Sequence, residues 1–371
     1  MRSNSLLLKQ KASRYSLMFR EFQHLFVESS QPMLHYVVPQ NGWSSDWTGY
    51  YITRRMQKLG MKAQLSDKPP RVKGDIVHFA DTASLLHHIG SRSNDHNWLV
   101  ATIFHGDDTD EFPEIEEVIK YSEDLNRVVV TNEVMFKRFT EWGVREDKLI
   151  FIPLGVDLNS FFPASVEERA SLRQKFAIPE EAFCIGSFQK DGLGWGDGDQ
   201  PDFAKGPDVF LEAVDKLSGK ISNLHVLLTG PARGYVKQGL DRIGVSYSHH
   251  MIDPYQEIRD CYACLDSYVI TSREDGGPNA LLESMACGVP VVSTRMGMAA
   301  DVIEDPLNGL LADVEDSNGI ANKVLEIFGD EDLVSKLAVM GVDTAHEYDW
   351  STISALYFEH VYAPLMVQRY S

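Results

Sequence analysis

Short apolar stretches alternate along most of the chain with longer stretches whose apolar residues recur at helical spacing, which is the pattern of parallel α/β domains. The short stretches are rich in β-branched residues and bounded by turn formers, so we predict that they are buried strands. The predicted strands are Leu34–Val38, Ile76–Phe79, Leu99–Phe104, Arg127–Thr131, Leu149–Pro153, Phe183–Ser187, Leu224–Thr229, Ser267–Ile270 and Val289–Ser293. They fall into two sets. Each set predicts one doubly wound domain, and the carboxyl ends of the strands should line a cleft between the two.

The boundary between the two sets is a segment rich in turn formers, PLGVDLNSFFPAS, followed by a charged helix from about Val166. We therefore predict an N-terminal Rossmann-like domain over residues 1–160 and a C-terminal one over residues 161–345. The final predicted helix, Ser351–Val367, is amphipathic and aromatic, as a helix that packs across two domains would be. Residues 346–371 are accordingly predicted to return to the N-terminal domain.

Length and composition fit this organisation, and the charge adds one new feature. A chain of 371 residues with 43% hydrophobic and 24% charged residues is a globular protein of about two domains. The net charge is −19, yet residues 1–73 carry twelve Lys and Arg against four Asp and Glu. The acidic remainder excludes nucleic acid as a partner of the whole chain. The basic start is either a solvated face or a peripheral contact with an anionic membrane or a phosphorylated acceptor.

An amphipathic helix is predicted over residues 14–27. It could dock on its own domain or on a membrane surface, and docking on its own domain is favoured. No apolar run approaches the ~20 residues of a transmembrane helix. Four scattered cysteines indicate a reducing compartment, so we expect a cytoplasmic protein, with membrane association left open. The pair Cys261 and Cys264 lacks the second pair or the histidines of a metal site, so we interpret it as two buried thiols on a helix.

The segment at residues 272–294, SREDGGPNALLESMACGVPVVST, carries the most specific chemistry. It predicts a glycine turn, a helix over Asn279–Cys287 stopped by Gly288, and then a buried strand. A glycine-rich turn that feeds a helix binds anions through free backbone N–H groups and the helix dipole. Asp275 and Glu283, separated by seven residues, can accept hydrogen bonds from hydroxyl groups. A sugar nucleotide has both phosphates and hydroxyls, which makes it the predicted ligand.

The motif DGGPNALLESMACGVPVVST resembles the E-x7-E signature of the retaining, GT-B-fold glycosyltransferases of family 4, the glycosyl transferases group 1. Further similarities are PLGVDLNSFFP, Lys205-Gly206, His105-Gly106 and NGLL at residues 308–311. The resemblance implies a GT-B fold and the transfer of a sugar, with retention, to an acceptor hydroxyl in glycan, glycolipid or polysaccharide synthesis. It also implies a UDP- or GDP-linked donor, a glycan, lipid-linked or small-molecule acceptor, and no cofactor or required metal.

The sequence departs from the family pattern in three places. Asp275 stands at the first Glu position and Glu274 lies beside it, so either carboxylate could contact the sugar. Ser187 stands where the family has an Arg, and the nearest cation is Lys190. An insertion over residues 190–204, KDGLGWGDGDQPDFA, is interpreted as a loop over the cleft that could bring Trp195 or Phe203 against a substrate.

The roles assigned to the site residues follow from this chemistry. Lys205 is predicted to neutralise the leaving diphosphate, because donors aimed at developing charge are usually the largest catalytic term. Asp275 is predicted to bind a sugar hydroxyl, and His105 to contact the donor sugar or the acceptor. These three are the predicted catalytic residues. The predicted donor-binding residues are Gly42, Lys190, Glu274, Gly276, Gly277, Pro278, Asn279, Ala280, Leu281 and Glu283, with Glu283 on the ribose hydroxyls.

Three other features of the sequence suggest different functions. The triplet Asp108-Thr109-Asp110 spells the D-x-D of metal-dependent transferases, but we interpret it as part of an acidic loop and predict no metal site. A sugar-nucleotide epimerase of similar fold would need an acid and base set that the carboxylate motif does not provide. A non-catalytic sugar-nucleotide-binding partner is the remaining alternative, because Ser187 and Asp275 depart from the family pattern.

Overall fold

A computed structural model describes residues 32–39, 44–69, 71, 73–90, 96–106 and 114–368. The described residues contain two six-stranded sheets, and all neighbouring strands in both sheets are parallel. The predicted class, α/β with two doubly wound units, is therefore confirmed. The helix predicted at residues 14–27, most of the basic start, Gly42 and the triplet Asp108–Asp110 lie outside the described residues.

The N-terminal sheet has the strand order β2-β1-β3-β4-β5-β6. Its central strands are buried apolar runs, as in β5, where three consecutive valines have no exposed surface. Its elements are β1 (Leu34–Val37), α1 (Ser44–Lys58), β2 (Ala63–Ser66), β3 (Ile76–Phe79), α2 (Thr82–His88), β4 (Trp98–Ile103), α3 (Ile115–Tyr121), β5 (Arg127–Val130), α4 (Glu133–Glu141) and β6 (Leu149–Phe151).

The C-terminal sheet has the strand order β12-β11-β10-β7-β8-β9. Its elements are α5 (Val166–Lys175), β7 (Phe183–Ser187), α6 (Pro207–Ser218), β8 (Leu224–Thr229), α7 (Gly234–Ile243), β9 (Ser246–His250), α8 (Ile258–Tyr262), β10 (Ser267–Ile270), α9 (Asn279–Ala286), β11 (Val291–Thr294), α10 (Gly297–Val302), β12 (Leu310–Ala312), α11 (Ser317–Gly329) and α12 (Glu331–Glu347). The chain order reverses between β7 and β10. Open α/β sheets bind ligands outside the carboxyl ends of the strands at such a reversal.

Three strands, β2, β9 and β12, were not predicted from the sequence, and each is an edge strand of its sheet. An edge strand faces solvent along one side, so it needs no continuous apolar run. The sequences of β2 and β9, AQLS and SYSHH, are accordingly polar, while β12 has three residues. All nine strands that were predicted are present, with ends that differ by up to two residues.

The last helical segment packs on the N-terminal sheet. It consists of α13 (Trp350–Leu356), a π-helical turn (Tyr357–Tyr362) and α14 (Ala363–Gln368), where a regular helix was predicted. The Tyr362 hydroxyl lies 2.7 Å from Nδ1 of His78 on β3, and both side chains are fully buried. The return of the chain to its N-terminal half thus seals part of that half's core. The exact boundaries of the two domains stay a prediction.

Candidate active site

Lys205 and Asp275 meet at the chain reversal between β7 and β10. Lys205 Nζ donates a hydrogen bond of 2.7 Å to Asp275 Oδ2, and the two side chains are 23% and 13% exposed. Gly206 makes this approach possible. It has a φ of +65°, and a Cβ added there would lie 2.0 Å from the carbonyl oxygen of Thr271. Two residues that are 70 positions apart and were both predicted as catalytic therefore form one ion pair.

His105, at the end of β4, adds a group from the N-terminal domain. Burial, followed by the charge of Lys205, lowers the pKa of His105, so its imidazole is neutral at neutral pH. Burial alone would raise the pKa of Asp275, but Lys205 and then His105 oppose this effect, and its pKa lies below the ordinary value. The site thus combines a neutral imidazole, an ammonium group and a carboxylate, and the three predicted catalytic residues interact with one another.

The structure separates the roles of Glu274 and Asp275. Glu274 Oε1 accepts a hydrogen bond of 2.8 Å from Nη1 of Arg138 on α4 and faces the backbone N–H of Gly106 at 3.4 Å. Arg138 also donates to the carbonyl oxygen of Gly106 at 2.7 Å. Glu274 therefore forms an ion pair between the two domains, while Asp275 faces Lys205. The donor and sugar contacts predicted for these two carboxylates stay predictions.

Gly276 is pressed against the carboxyl edge of the N-terminal sheet. Its carbonyl oxygen accepts hydrogen bonds from Thr131 Oγ1 at 3.0 Å and from Asn132 Nδ2 at 2.7 Å. A Cβ added to Gly276 would lie 1.9 Å from the carbonyl oxygen of Phe104, so no larger residue fits without moving backbone. A glycine that was predicted for donor binding thus also joins the two halves of the cleft.

The start of α9 has the features of an anion site. Pro278 is its N-cap residue, and no side chain caps this end of the helix. The first-turn N–H groups of a helix lack intrahelical partners, so those of Asn279 and Ala280 suit a phosphate. The N–H of Leu281 donates to the carbonyl oxygen of Pro278 at 2.9 Å, and the Leu281 side chain is fully buried. The Leu281 side chain therefore packs in the core, and the donor contact predicted for this residue stays a prediction. The N–H of Gly277 faces Asp275 Oδ1 at 3.3 Å.

Glu283 lies one turn further along α9 and is enclosed by tyrosines. Glu283 is only 5% exposed. Its Oε1 accepts a hydrogen bond from Tyr255, and its Oε2 accepts one of 2.9 Å from Tyr262. The ring of Tyr255 stacks on Trp47 of α1, with centroids 6.0 Å apart. A ribose would therefore have to share Glu283 with these hydroxyls or displace Tyr255. No local motif marks the two tyrosines, so the sequence did not reveal them.

The environment of Glu283 predicts a pH dependence of stability. Burial raises the pKa of Glu283 from 4.5 to about 7, although both tyrosine hydroxyls oppose the shift. Between these values the unfolded chain releases the proton while the folded protein keeps it, so the free energy of unfolding should fall as pH rises from about 4.5 to 7. The loss should be on the order of 3 kcal/mol. Urea unfolding of the wild type and Glu283→Gln at pH 5 to 8 measures it.

In Glu283→Gln the free energy of unfolding should still fall with rising pH, but less steeply than in the wild type. A slope remains because burial also raises the pKa of Asp301 to about 7. Asp301→Asn is the matched variant and should remove the other part of the slope. Equal slopes in the wild type and in Glu283→Gln would contradict the assignment to Glu283.

The cation that lies beside Ser187 is Arg233, from the segment after β8. Its guanidinium group donates to the Ser187 carbonyl oxygen at 2.7 Å and pairs with Asp191 at 2.9 Å. Both charged side chains are buried, so Arg233 links the end of β7 to the loop that carries Asp191 and offers no surface to a ligand. The predicted donor contact Lys190 donates to the carbonyl oxygen of Gly192 at 2.8 Å, within its own loop. Arg233 was missed because 46 residues separate it from Ser187.

The four cysteines are free and buried, as predicted for Cys261 and Cys264. Within the part of the chain that the structure describes, no three His, Cys, Asp or Glu side chains are grouped so that they could hold a metal ion. Among the described helices, none has both the length and the apolar character that crossing a bilayer requires.

Comparison with known sequences confirms the resemblance over one part of the chain. Residues 198–330 match the profile of the family Glycosyl transferases group 1. The lipopolysaccharide core biosynthesis glycosyltransferase LpsE of Rhizobium meliloti is 33% identical over 140 residues, which cover 38% of this chain and 41% of LpsE. The D-inositol 3-phosphate glycosyltransferase of Mycolicibacterium smegmatis is 24% identical over 248 residues, 63% of this chain and 52% of that protein. The chain thus spans about half the length of these curated relatives.

Comparison with solved structures confirms the GT-B fold. HepE of Anabaena, in complex with UDP and glucose, superposes with a TM-score of 0.74 at 17% identity, over 90% of this chain and 100% of HepE. The sucrose-phosphate synthase of Thermosynechococcus elongatus gives the same TM-score of 0.74 at 15% identity, over 91% of this chain and 100% of that one. At such identities the likeness establishes the fold alone.

Proposed function

We propose that this protein is a retaining, metal-independent glycosyltransferase that moves a sugar from a UDP- or GDP-linked donor to an acceptor hydroxyl. The observation that carries the proposal is the Lys205–Asp275 ion pair beside the uncapped start of α9. It puts a cation, helix amides and a carboxylate at the chain reversal of one sheet, with His105 reaching in from the other. A nucleotide diphosphate sugar requires both anion-binding and hydroxyl-binding groups, and this site offers them together.

In the proposed reaction, the ammonium group of Lys205 and the first-turn amides of α9 stabilise the charge that builds on the leaving diphosphate. Asp275 positions the sugar through a hydroxyl, and neutral His105 contacts the sugar or the acceptor. The acceptor oxygen attacks the anomeric carbon from the face that the phosphate leaves, and the leaving phosphate takes the acceptor proton. Asp275 is held by Lys205, and Glu274 by Arg138, so neither carboxylate is placed as a covalent nucleophile.

The comparisons support this proposal. HepE was solved in complex with UDP and glucose, and the matched curated relatives are named as a lipopolysaccharide core biosynthesis glycosyltransferase and a D-inositol 3-phosphate glycosyltransferase. We accordingly propose a glycan, lipid-linked or small-molecule acceptor. The reduced, buried cysteines suit a cytoplasmic site of action. The epimerase alternative gains no support from these relatives, since both are named as glycosyltransferases.

A thermal-shift panel tests the proposal directly. UDP, GDP and ADP are each added to the protein at saturating concentration. A nucleotide present at 100 times its dissociation constant should raise the free energy of unfolding by about 2.7 kcal/mol, and hence Tm by several degrees. UDP or GDP should produce this shift, and release of free nucleotide from the matching sugar nucleotide should require acceptor. A panel in which none of the three nucleotides moves the melting curve would reject the function.

A further inference from the structure

The insertion at residues 190–204 is an ordered loop, although its composition is rich in glycine. Gly192 and Pro201 form an antiparallel bridge. The N–H of Leu193 donates to the carbonyl oxygen of Gln200 at 2.8 Å, and the N–H of Asp202 donates to that of Asp191 at 2.8 Å. The loop is therefore cross-linked by its own backbone, and its tip is held in one position relative to its base.

The loop is also seated firmly on the start of α7. The N–H of Gly234 donates to the carbonyl oxygen of Asp197 at 2.6 Å, and the N–H of Tyr235 donates to that of Gly198 at 2.8 Å. Gly198 has a φ of +76°, and a Cβ added there would lie 2.2 Å from the carbonyl group of Ala232. The buried Arg233–Asp191 ion pair lies under the same base. Removing one partner of such a pair is strongly destabilising, so the base of the loop cannot shift easily.

This rigid loop presents an aromatic face to solvent. Trp195 is 65% exposed and Leu193 is 53% exposed, although both lie on a backbone that is held in place. Lys190 Nζ lies 5.8 Å from the centroid of the Trp195 ring, which orients the indole from one side. Most of the Trp195 side chain thus faces solvent, where an aromatic ring can stack on a ligand.

The loop begins and ends at the candidate active site. Gln189, just before it, donates to the carbonyl oxygen of Lys205 at 2.8 Å. The carbonyl oxygen of Ala204, its last residue, accepts from the N–H groups of Arg273 and Glu274 at 2.8 and 3.1 Å. The loop that carries Trp195 is therefore joined at its base to the segments that carry Lys205 and Asp275.

Charge decides which ligand suits this face. With Asp191 neutralised by Arg233, the loop has one cation, Lys190, against three further aspartates. Asp197 and Asp199 are exposed close to Trp195 in the chain. Such a surface repels phosphates and anionic lipid headgroups, whereas carboxylates beside an indole face suit an uncharged ligand with an apolar C–H face and a ring of hydroxyls. A pyranose has this combination.

We propose that Trp195 is a stacking platform for an uncharged sugar ring of the acceptor, next to the donor site. The proposal rests on the proposed transferase function and adds the class of acceptor. The C–H face of the ring packs on the indole, while Asp197 accepts hydrogen bonds from its hydroxyls, since Asp199 Oδ1 already accepts one of 2.7 Å from Gln238 on α7. The buried ion pair keeps the base of the loop rigid. A rigid site avoids the entropy cost of fixing a mobile loop when the sugar binds.

Saturation-transfer NMR tests this proposal without knowledge of the natural acceptor. The probes are the methyl α- and β-pyranosides of glucose, galactose and mannose, together with maltose and cellobiose, each added to the full chain with saturating UDP. We expect ring C–H protons of at least one probe to be saturated by the wild-type protein. Trp195→Ala should weaken that binding about tenfold, whereas Trp195→Phe should retain most of it because it keeps an aromatic face.

Phe328→Ala is the matched control, because Phe328 is an exposed aromatic residue on α11, outside this loop, whose ring packs on Phe183 with centroids 5.1 Å apart. Its binding of the probe should match that of the wild type. Saturation that is equal in the wild type and Trp195→Ala, or absent for every probe, would overturn the proposal. The nucleotide melting shift separates the two hypotheses: the shift found for the wild type should persist in Trp195→Ala, and its absence for UDP, GDP and ADP alike would instead reject the transferase function.

Discussion

Replacement of Lys205 by Met should lower kcat about 10²- to 10³-fold, which is the usual effect of removing one preorganised donor from developing charge. Lys205 is the cation that pairs with Asp275, and it interacts with His105 as well. Without it, the leaving diphosphate would retain only the amides of α9. The effect should be larger on kcat than on the KM for the donor, because the charge develops in the transition state. Steady-state kinetics with the donor identified by the melting panel measures both.

Two controls make this prediction specific. Lys216→Met removes a lysine from α6, where its side chain is 37% exposed, and should leave kcat unchanged. The double variant Lys205→Met/Asp275→Asn removes both partners of the ion pair and so avoids leaving a buried carboxylate uncompensated. If Lys205→Met weakens nucleotide binding only because Asp275 is left unpaired, the double variant will regain the nucleotide melting shift. A regained shift would contradict a direct role of Lys205 at the diphosphate.

Replacement of Gly276 by Ala should lower kcat/KM about 10- to 100-fold while the protein remains folded. The added Cβ would lie 1.9 Å from the carbonyl oxygen of Phe104, so the loop must withdraw from the N-terminal sheet. Withdrawal breaks the hydrogen bonds from Thr131 and Asn132 to the Gly276 carbonyl oxygen, each worth about 0.5–1.5 kcal/mol. It also displaces Asp275 in the same loop. Steady-state kinetics gives the loss, and small-angle X-ray scattering detects any opening of the cleft.

Gly329→Ala is the control for this variant. Gly329 is the last residue of α11, and a Cβ added there meets no atom within 4 Å. This substitution should change neither the kinetics nor the scattering curve. A Gly276→Ala enzyme with wild-type kcat/KM would show that the close contact of the two domains at Phe104 is not required for transfer.

Most of the fold could be predicted because central strands of parallel sheets are buried on both faces and therefore appear as continuous apolar runs. The unpredicted strands show the limit of this signal. The strand β9, SYSHH, is half-exposed along its length, and its pairing with β8 depends on backbone hydrogen bonds that any sequence can make. The π-helical turn at Tyr357–Tyr362 was equally invisible, because its side chains keep a helical, apolar pattern.

In the candidate site, the sequence identified residues that are close together along the chain and missed their distant partners. Asp275 and Glu274 are adjacent, and successive side chains on an extended segment point in opposite directions. Which of them would face Lys205 depended on the position of Arg138, 136 residues away from Glu274. The enclosure of Glu283 by Tyr255 likewise depends on a residue 28 positions upstream. Tertiary packing alone determines these contacts.

The contact between Tyr362 and His78 has a consequence for biosynthesis. The two residues are 284 positions apart, and Tyr362 lies in the final helical segment. The ribosome therefore releases all six strands of the N-terminal sheet long before the side chains that cover His78 have been made. Until residues 350–368 have been synthesised, the N-terminal half keeps part of its apolar surface uncovered. The last step in the folding of this half therefore waits for that segment, even though its strands are synthesised first.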